Sequence, residues 1–305
     1  MKSVIAEPAE NIGAAVPKEI RNRIMLDFAE LVKARLTFLV LITTAVGFYL
    51  GASERLDAMA LFHAVFGTAM AAAGAAALNQ WWERRLDALM HRTRTRPIPA
   101  GRMSPRDALI LGGMLSIAGV IYLAATCNVL SATLAAATIA IYILGYTPLK
   151  RISTTNTLVG AIPGALPPMI GWAAARGSVE VSAWSLFAIL FCWQMPHFFA
   201  IAWMYRDDYA RAGFRMLANQ DLNGLRSGRQ SVLFSALLLG ASSLPALFGL
   251  VSRTLLPTEL LVGAAFLGLA ITFYFKRDVA AARRLFFASI IYLPVLLALL
   301  VATKQ

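Results

Sequence analysis

The chain has 305 residues, 59% of them hydrophobic and only 14% charged, with 28 Lys and Arg against 16 Asp and Glu. An ordinary soluble domain carries about a quarter charged residues, and a disordered segment is poor in apolar ones, so both are excluded in favour of a membrane protein. The net charge of +12 does not point to nucleic acid, because the basic residues lie between apolar runs. Cys127 and Cys192 have no second thiol near them in the sequence, which argues against a redox or metal motif.

Apolar runs fall at 36–51, 58–80, 108–127, 129–146, 156–175, 182–205, 231–252, 257–275 and 285–302. Each is near the roughly 20 residues that a helix needs to cross the hydrocarbon. The expected fold is all-α: a polytopic membrane protein with nine transmembrane helices, one domain over 31–305 preceded by a cytoplasmic segment, 1–30. The first run is short unless its helix begins near Lys33. Pro163, Pro167 and Pro168 predict a kink or local unwinding in the fifth. All the lysines and arginines except Arg55, Arg176, Arg253 and Lys304 fall on the amino-terminal side of the spans. That asymmetry predicts a cytoplasmic N-terminus and a periplasmic C-terminus. Residues 1–30 have no apolar core, and Glu7, Glu10, Glu19 and Asp27 stand against a transit peptide, so a bacterial inner (plasma) membrane is the expected location. The two long loops, 81–107 and 206–230, share the cytoplasmic side, where the active-site cavity is expected to open.

Asn79, Glu83 and Asp87 follow in steps of four at the end of the second span. Each step advances about 40° round a helix and about 6 Å along it, which gives one stripe of hard oxygen ligands. Such a stripe suits Mg²⁺, which takes one or two carboxylates with waters and substrate phosphates. It equally fits a solvated helix face paired with Arg84, Arg85 or His91. Directly after it come Arg92, Arg94, Arg96 and Arg102 around Pro97 and Pro99. They read either as a positive-inside anchor or as the guanidinium half of a metal-bridged diphosphate site.

Asp207 and Asp208 close the sixth span. Helix neighbours point about 100° apart, so one of the two faces the stripe unless the helix stops there. The alternative is a cap paired with Arg206 and Arg211. Lys150 and Arg151 end the loop Tyr146-Thr-Pro-Leu-Lys150-Arg151. They serve as a topology anchor or, placed opposite the acids, bring Lys150 to leaving-group oxygens. His197 follows Pro196 inside the sixth span, at a depth where an ionisable residue is functional by default, whereas His63 reads as packed. Trp172, Trp193, Phe198, Phe199 and Trp203 either pack the interior or line an apolar cavity.

Six segments carry a resemblance: Asn79…Glu83…Asp87, Arg92 to Arg102, Tyr146 to Arg151, Asn156 to Trp172 with its Gly-Ala-Leu-Pro-Pro core, Pro196-His197-Phe198, and Asp207-Asp208-Tyr209 through Gly213. As a set they resemble the intramembrane aromatic prenyltransferase superfamily, most closely its haem-farnesylating branch. The resemblance implies an enzyme that moves the farnesyl group of farnesyl diphosphate onto a vinyl group of haem B, with addition of water, using Mg²⁺. It implies Asn79, Glu83, Asp87, Asp207 and Asp208 as metal ligands, and these with Lys150 and His197 as catalytic residues. Arg92, Arg96, Arg102, Tyr146, Arg151 and Tyr209 are the implied substrate-binding residues. The lipid bilayer and a haem A synthase or terminal oxidase are the implied partners, with no nucleic acid. Three departures stand out: the family has Asp where this chain has Glu83, Pro where it has Ala34, and Gly-x-Pro-Met where it reads Gly213-Phe214-Arg215-Met216. Two further readings remain open. One is prenyl transfer to another acceptor, such as a quinone precursor or chlorophyllide. The other is a secondary transporter, whose acids belong at the membrane midplane rather than at helix ends.

Overall fold

Polar residues at the turns set where the helices begin. The computed structural model describes residues 18–52 and 55–305, so much of the expected segment 1–30 lies outside the described residues. Helix α1 (Lys18–Leu31) leads to Lys33, which takes the left-handed conformation at φ 50° and turns the chain into α2 (Ala34–Gly51). Asp57 opens α3 (Ala58–Asp87) by accepting from the Met59 and Ala60 N–H groups at 2.9 and 3.0 Å. Ser104 and Pro105 open α4 (Pro105–Thr126) in the same manner. Asn128 caps α5 (Val129–Ala140), which runs through a π-helical turn, Ile141–Tyr146, into α6 (Thr147–Leu149).

The proline-rich fifth span breaks where the sequence predicts. Helix α7 (Asn156–Ala165) stops before Leu166, and α8 (Pro167–Arg176) restarts with two prolines in its first turn, where their missing N–H groups leave no bond unmade. It closes on Gly177 at φ 72°. The remaining helices are α9 (Val181–Met204), the short α10 (Arg206–Arg211) and α11 (Leu217–Gln220), α12 (Leu225–Leu247), α13 (Leu256–Lys276) and α14 (Val279–Ala302).

Among the described residues, nine helical stretches are long and apolar enough to cross a membrane: α2, α3, α4, α5–α6, α7–α8, α9, α12, α13 and α14. They are the nine runs read from the sequence. Phe38, Met114, Ile117, Ile121, Leu261, Phe275 and Ile291 stand exposed around the outside, a perimeter suited to lipid rather than water. Inside, small residues let backbones approach. A Cβ on Gly119 of α4 would meet the Ala71 amide nitrogen of α3 at 2.5 Å.

Several boundaries differ from the apolar runs, two of them where buried polar residues extend the helix. Helix α3 continues past residue 80 to Asp87 because Asn79, Gln80, Glu83 and Asp87 are buried and bonded to neighbouring elements. Helix α12 begins at Leu225, ahead of the run at 231. There the Asp221 carboxylate accepts from the Ser227 N–H at 2.7 Å, and the Ser231 hydroxyl donates to the Ser227 carbonyl at 2.9 Å, so the turn's backbone groups find partners within it.

The bundle has two unlike ends. One carries α1, the 88–104 loop, the 150–155 loop and the segment with α10 and α11. At the other, connections are short, and the tail after α14 lies across them: Val251 and Lys304 form an antiparallel bridge, and the Lys304 ammonium donates to the Tyr49 and Ala52 carbonyls, both at 2.6 Å.

Candidate active site

The loop-rich end gathers most of the charged residues singled out in the sequence. Asn79, Glu83 and Asp87 lie along one face of α3, all buried, and each meets a cation from a different segment. Lys33 donates to Asn79 Oδ1 at 2.7 Å and to the Tyr142 hydroxyl at 3.1 Å. Lys150 donates to Glu83 Oε1 at 2.6 Å, and Arg96 to Asp87 Oδ2 at 2.7 Å. Asn79 Nδ2 in turn donates to the Thr147 hydroxyl at 3.1 Å, which donates to the Tyr142 carbonyl at 2.8 Å. The π-helical turn is what brings Tyr142, Tyr146 and Thr147 to this face; such turns recur at functional sites.

Electrostatics follow from this packing. Burial, with Arg96 and Lys150 nearby, lowers the Lys33 pKa to about 7. Burial works against the Lys150 charge as well, but the Glu83 carboxylate outweighs it and holds that pKa above the ordinary lysine value. The Lys150 ammonium also lies over the Tyr146 ring, 4.4 Å from its centroid.

The second acidic pair divides. Helix α9 stops at Met204, and α10 turns Asp208 inward, where its carboxylate accepts from the His91 and Arg92 N–H groups at 3.4 and 3.3 Å and pairs with Arg211. Asp207 points outward, with Arg206 at 3.9 Å. Asp208 thus latches α10 to the arginine loop. Arg92 strengthens the contact by donating to the Tyr209 hydroxyl at 3.1 Å and lying over the Tyr205 and Tyr209 rings. The following segment docks on the 150–155 loop: the Arg215 N–H donates to the Lys150 carbonyl at 2.7 Å, and Asn156 to the Arg215 carbonyl at 2.9 Å.

Besides Asp207 and the Asp208, Arg92 and Tyr209 latch, three of the singled-out residues stand apart from the stripe. Arg102 is held by Asp27 and Glu30 of α1 at 2.8 and 3.3 Å. Arg151 is exposed. His197 faces α14, with Nδ1 2.7 Å from Ser289 Oγ. Lys33, Tyr142 and Thr147 were missed. The signal for Lys33 was its place in Lys33-Ala34-Arg35, immediately before the first span.

Asp87 Oδ1 is buried with no hydrogen-bond partner among the described residues. A bare carboxylate oxygen, one helical turn from Glu83 and two from Asn79, fits a small divalent cation such as Mg²⁺. No group of three or more His, Cys, Asp or Glu among the described residues closes round an ion. Asn79, water and substrate oxygens would complete the shell, which is the habit of Mg²⁺.

A helical bundle with a buried oxygen stripe, flanking guanidinium and ammonium groups and a broken fifth span fits a membrane enzyme that handles a diphosphate. Residues 40–291 match the UbiA prenyltransferase family, and the chain belongs to it. The protoheme IX farnesyltransferase of Solibacter usitatus is 44% identical over 92% of this chain and 99% of its own length. That of Opitutus terrae is 45% identical over 91% and 94%. Among solved structures, a digeranylgeranylglyceryl phosphate synthase superposes with a TM-score of 0.74 at 14% identity, covering 92% of this chain and 98% of that one. A UbiA homologue from Archaeoglobus fulgidus bound to GPP and Mg²⁺ does so at 0.63 and 14%, over 90% and 99%. At such identities the superpositions speak for the fold alone.

Proposed function

We propose that this protein is a farnesyltransferase acting on haem: haem B, farnesyl diphosphate and water give haem O and diphosphate. The observation that carries the reading is near end-to-end similarity to farnesyltransferases of protoheme IX, joined to a buried stripe that pairs three oxygen ligands with three cations. The substrate diphosphate docks against the stripe, with Arg92, Arg96 and Lys150 on its oxygens. Asn79, Glu83 and Asp87 would hold Mg²⁺. Bound there, Mg²⁺ neutralises charge on the departing diphosphate.

As the allylic carbon–oxygen bond breaks, Lys150 and Arg96 stabilise the negative charge gathering on the leaving group. Tyr146 orders Lys150 beneath it, Tyr209 orders Arg92, and Asp208 keeps the arginine loop closed. The apolar interior formed by α7, α8 and α9 excludes water from the farnesyl cation until the haem vinyl carbon attacks it. Water then adds to the carbocation beside the porphyrin ring and loses a proton, leaving the hydroxyl group of haem O. His197 stands on the haem side. Arg102 acts through α1, and Arg151 contributes positive potential at the mouth.

In this reading the protein sits in a bacterial inner membrane with the loop-rich end in the cytoplasm and the tail in the periplasm, and passes its product to a haem A synthase or terminal oxidase. The test is the haem profile of membranes that express the chain, extracted and resolved by chromatography and mass, beside Asp87→Ala. Haem O with the wild type and none with the variant is expected. Consumption of farnesyl diphosphate without haem O would overturn the acceptor and leave the prenyltransferase class.

A further inference from the structure

His197 follows Pro196 in α9, and the helical rise places it about 10 Å deeper than Met204 at the end of that helix. Its Nδ1 lies 2.7 Å from Ser289 Oγ on α14. Ser289 decides which of the two atoms donates, because its hydroxyl has one proton and gives it to the Phe286 carbonyl at 2.5 Å. Ser289 Oγ is therefore the acceptor, Nδ1 carries the ring proton, and Nε2 is left with its lone pair.

The surroundings hold this arrangement in place. Trp193 Nε1 donates to the Ser289 carbonyl at 2.8 Å, which fixes the serine's backbone. The Trp193 ring stacks on the imidazole with centroids 5.3 Å apart and planes at 24°, and the Phe286 ring lies 4.9 Å away. Nε2 has no hydrogen-bond partner among the described residues, and the His197 ring is half-buried rather than enclosed.

A neutral imidazole with its Nδ1–H anchored to a second group and its Nε2 bare is the form in which histidine binds a metal. The acceptor proposed above brings one. We propose that His197 is the axial ligand to the iron of the haem substrate, and that Ser289 is the positioning residue that sets its tautomer and aim. This rests on the reading of haem as acceptor. A porphyrin tethered at its iron is held at one depth and tilt, and rotation about the Fe–N bond, which decides the vinyl edge presented, is left to the apolar walls. Phe198 and Phe286 add flat apolar surface for its faces.

The test adds iron(III) protoporphyrin IX to the purified full-length protein in detergent and records optical and electron paramagnetic resonance spectra. Wild type gives a histidine-ligated spectrum, which His197→Gly loses and added imidazole restores. Ser289→Ala leaves Nδ1–H unanchored, so iron porphyrin affinity falls about 10- to 100-fold with a shifted ligand field, while Ser289→Thr keeps both near wild type. Metal-free protoporphyrin IX binds wild type no better than it binds His197→Gly. An unchanged iron spectrum in His197→Gly overturns the proposal, as does a Ser289→Ala variant with wild-type spectrum and affinity. A His197→Gly enzyme that ligates iron normally but makes no haem O would assign the lone pair to the water step instead. Haem O from wild-type membranes with no histidine ligation refutes this inference alone; its absence from those membranes refutes the acceptor.

Discussion

Removing Lys150 alone should harm the protein more than removing Lys150 together with Glu83. The two side chains are 11% and 5% exposed and meet at 2.6 Å, so solvent takes little off their interaction. Lys150→Met strands a carboxylate in the interior, and breaking a buried pair in this way costs about 3–5 kcal/mol. Glu83→Met with Lys150→Met removes both charges and leaves two apolar side chains of similar volume, an exchange that is often close to neutral. The double variant should therefore recover to within about 1–2 kcal/mol of wild type by the same reasoning, so that its loss is smaller than the sum of the two single losses in the double-mutant cycle. Unfolding of the purified protein by SDS in mixed micelles, followed by circular dichroism, measures the stabilities. Haem O formation gives the second readout and should stay lost in the double variant, because Lys150 is needed on the leaving group. A Lys150→Met variant within about 1 kcal/mol of wild type, the range of exposed pairs, would refute the reasoning.

The two arginines that flank Pro97 and Pro99 should differ. Arg96→Ala frees buried Asp87 and should cut turnover at least about 100-fold, as expected for a lost transition-state contact of about 3 kcal/mol. Arg102→Ala breaks a more exposed pair with α1, worth about 1 kcal/mol or less, and should change turnover only a few-fold. Asp207→Asn, at an exposed carboxylate, should leave the Mg²⁺ dependence of haem O formation and the fold near wild type, whereas Asp208→Asn should speed proteolytic cleavage between α10 and α12. Gly119→Ala drives a methyl group into the α3 backbone and should cost about 1–3 kcal/mol in the SDS titration; Gly113→Ala, which meets nothing within 4 Å, should not destabilise.

Hydropathy and prolines made the nine spans and the broken fifth one legible, because a bilayer imposes length and apolarity on each helix independently of its neighbours. What a span's neighbours decide was less visible. Helix α12 starts early because Asp221, Ser227 and Ser231 bond one another, and a polar turn looks like a loop until those partners are known. The stripe on α3 followed from spacing alone, but Lys33 did not: its ammonium reaches Asn79 only through the left-handed turn between α1 and α2, a tertiary effect with no periodic signature. The π-helical turn at 141–146 is equally silent, since its residues have the composition of any apolar helix. Arg102 was grouped with its sequence neighbours, whereas the structure commits it to Asp27 and Glu30, far away in the chain. The 100° rule separates Asp207 from Asp208 only within a continuous helix; α9 stops at Met204, and α10 gives Asp208 to the arginine loop and leaves Asp207 exposed.

The tail beyond α14 sets an order on assembly. Lys304 holds the carbonyls at the end of α2, so the first membrane-crossing helix is secured by residues that emerge after the ninth. Through most of synthesis the carbonyls at the end of α2 lack these donors. A chain interrupted within α14 would keep every residue of the stripe and its three cations, yet the end of α2 would lack the ammonium that holds it.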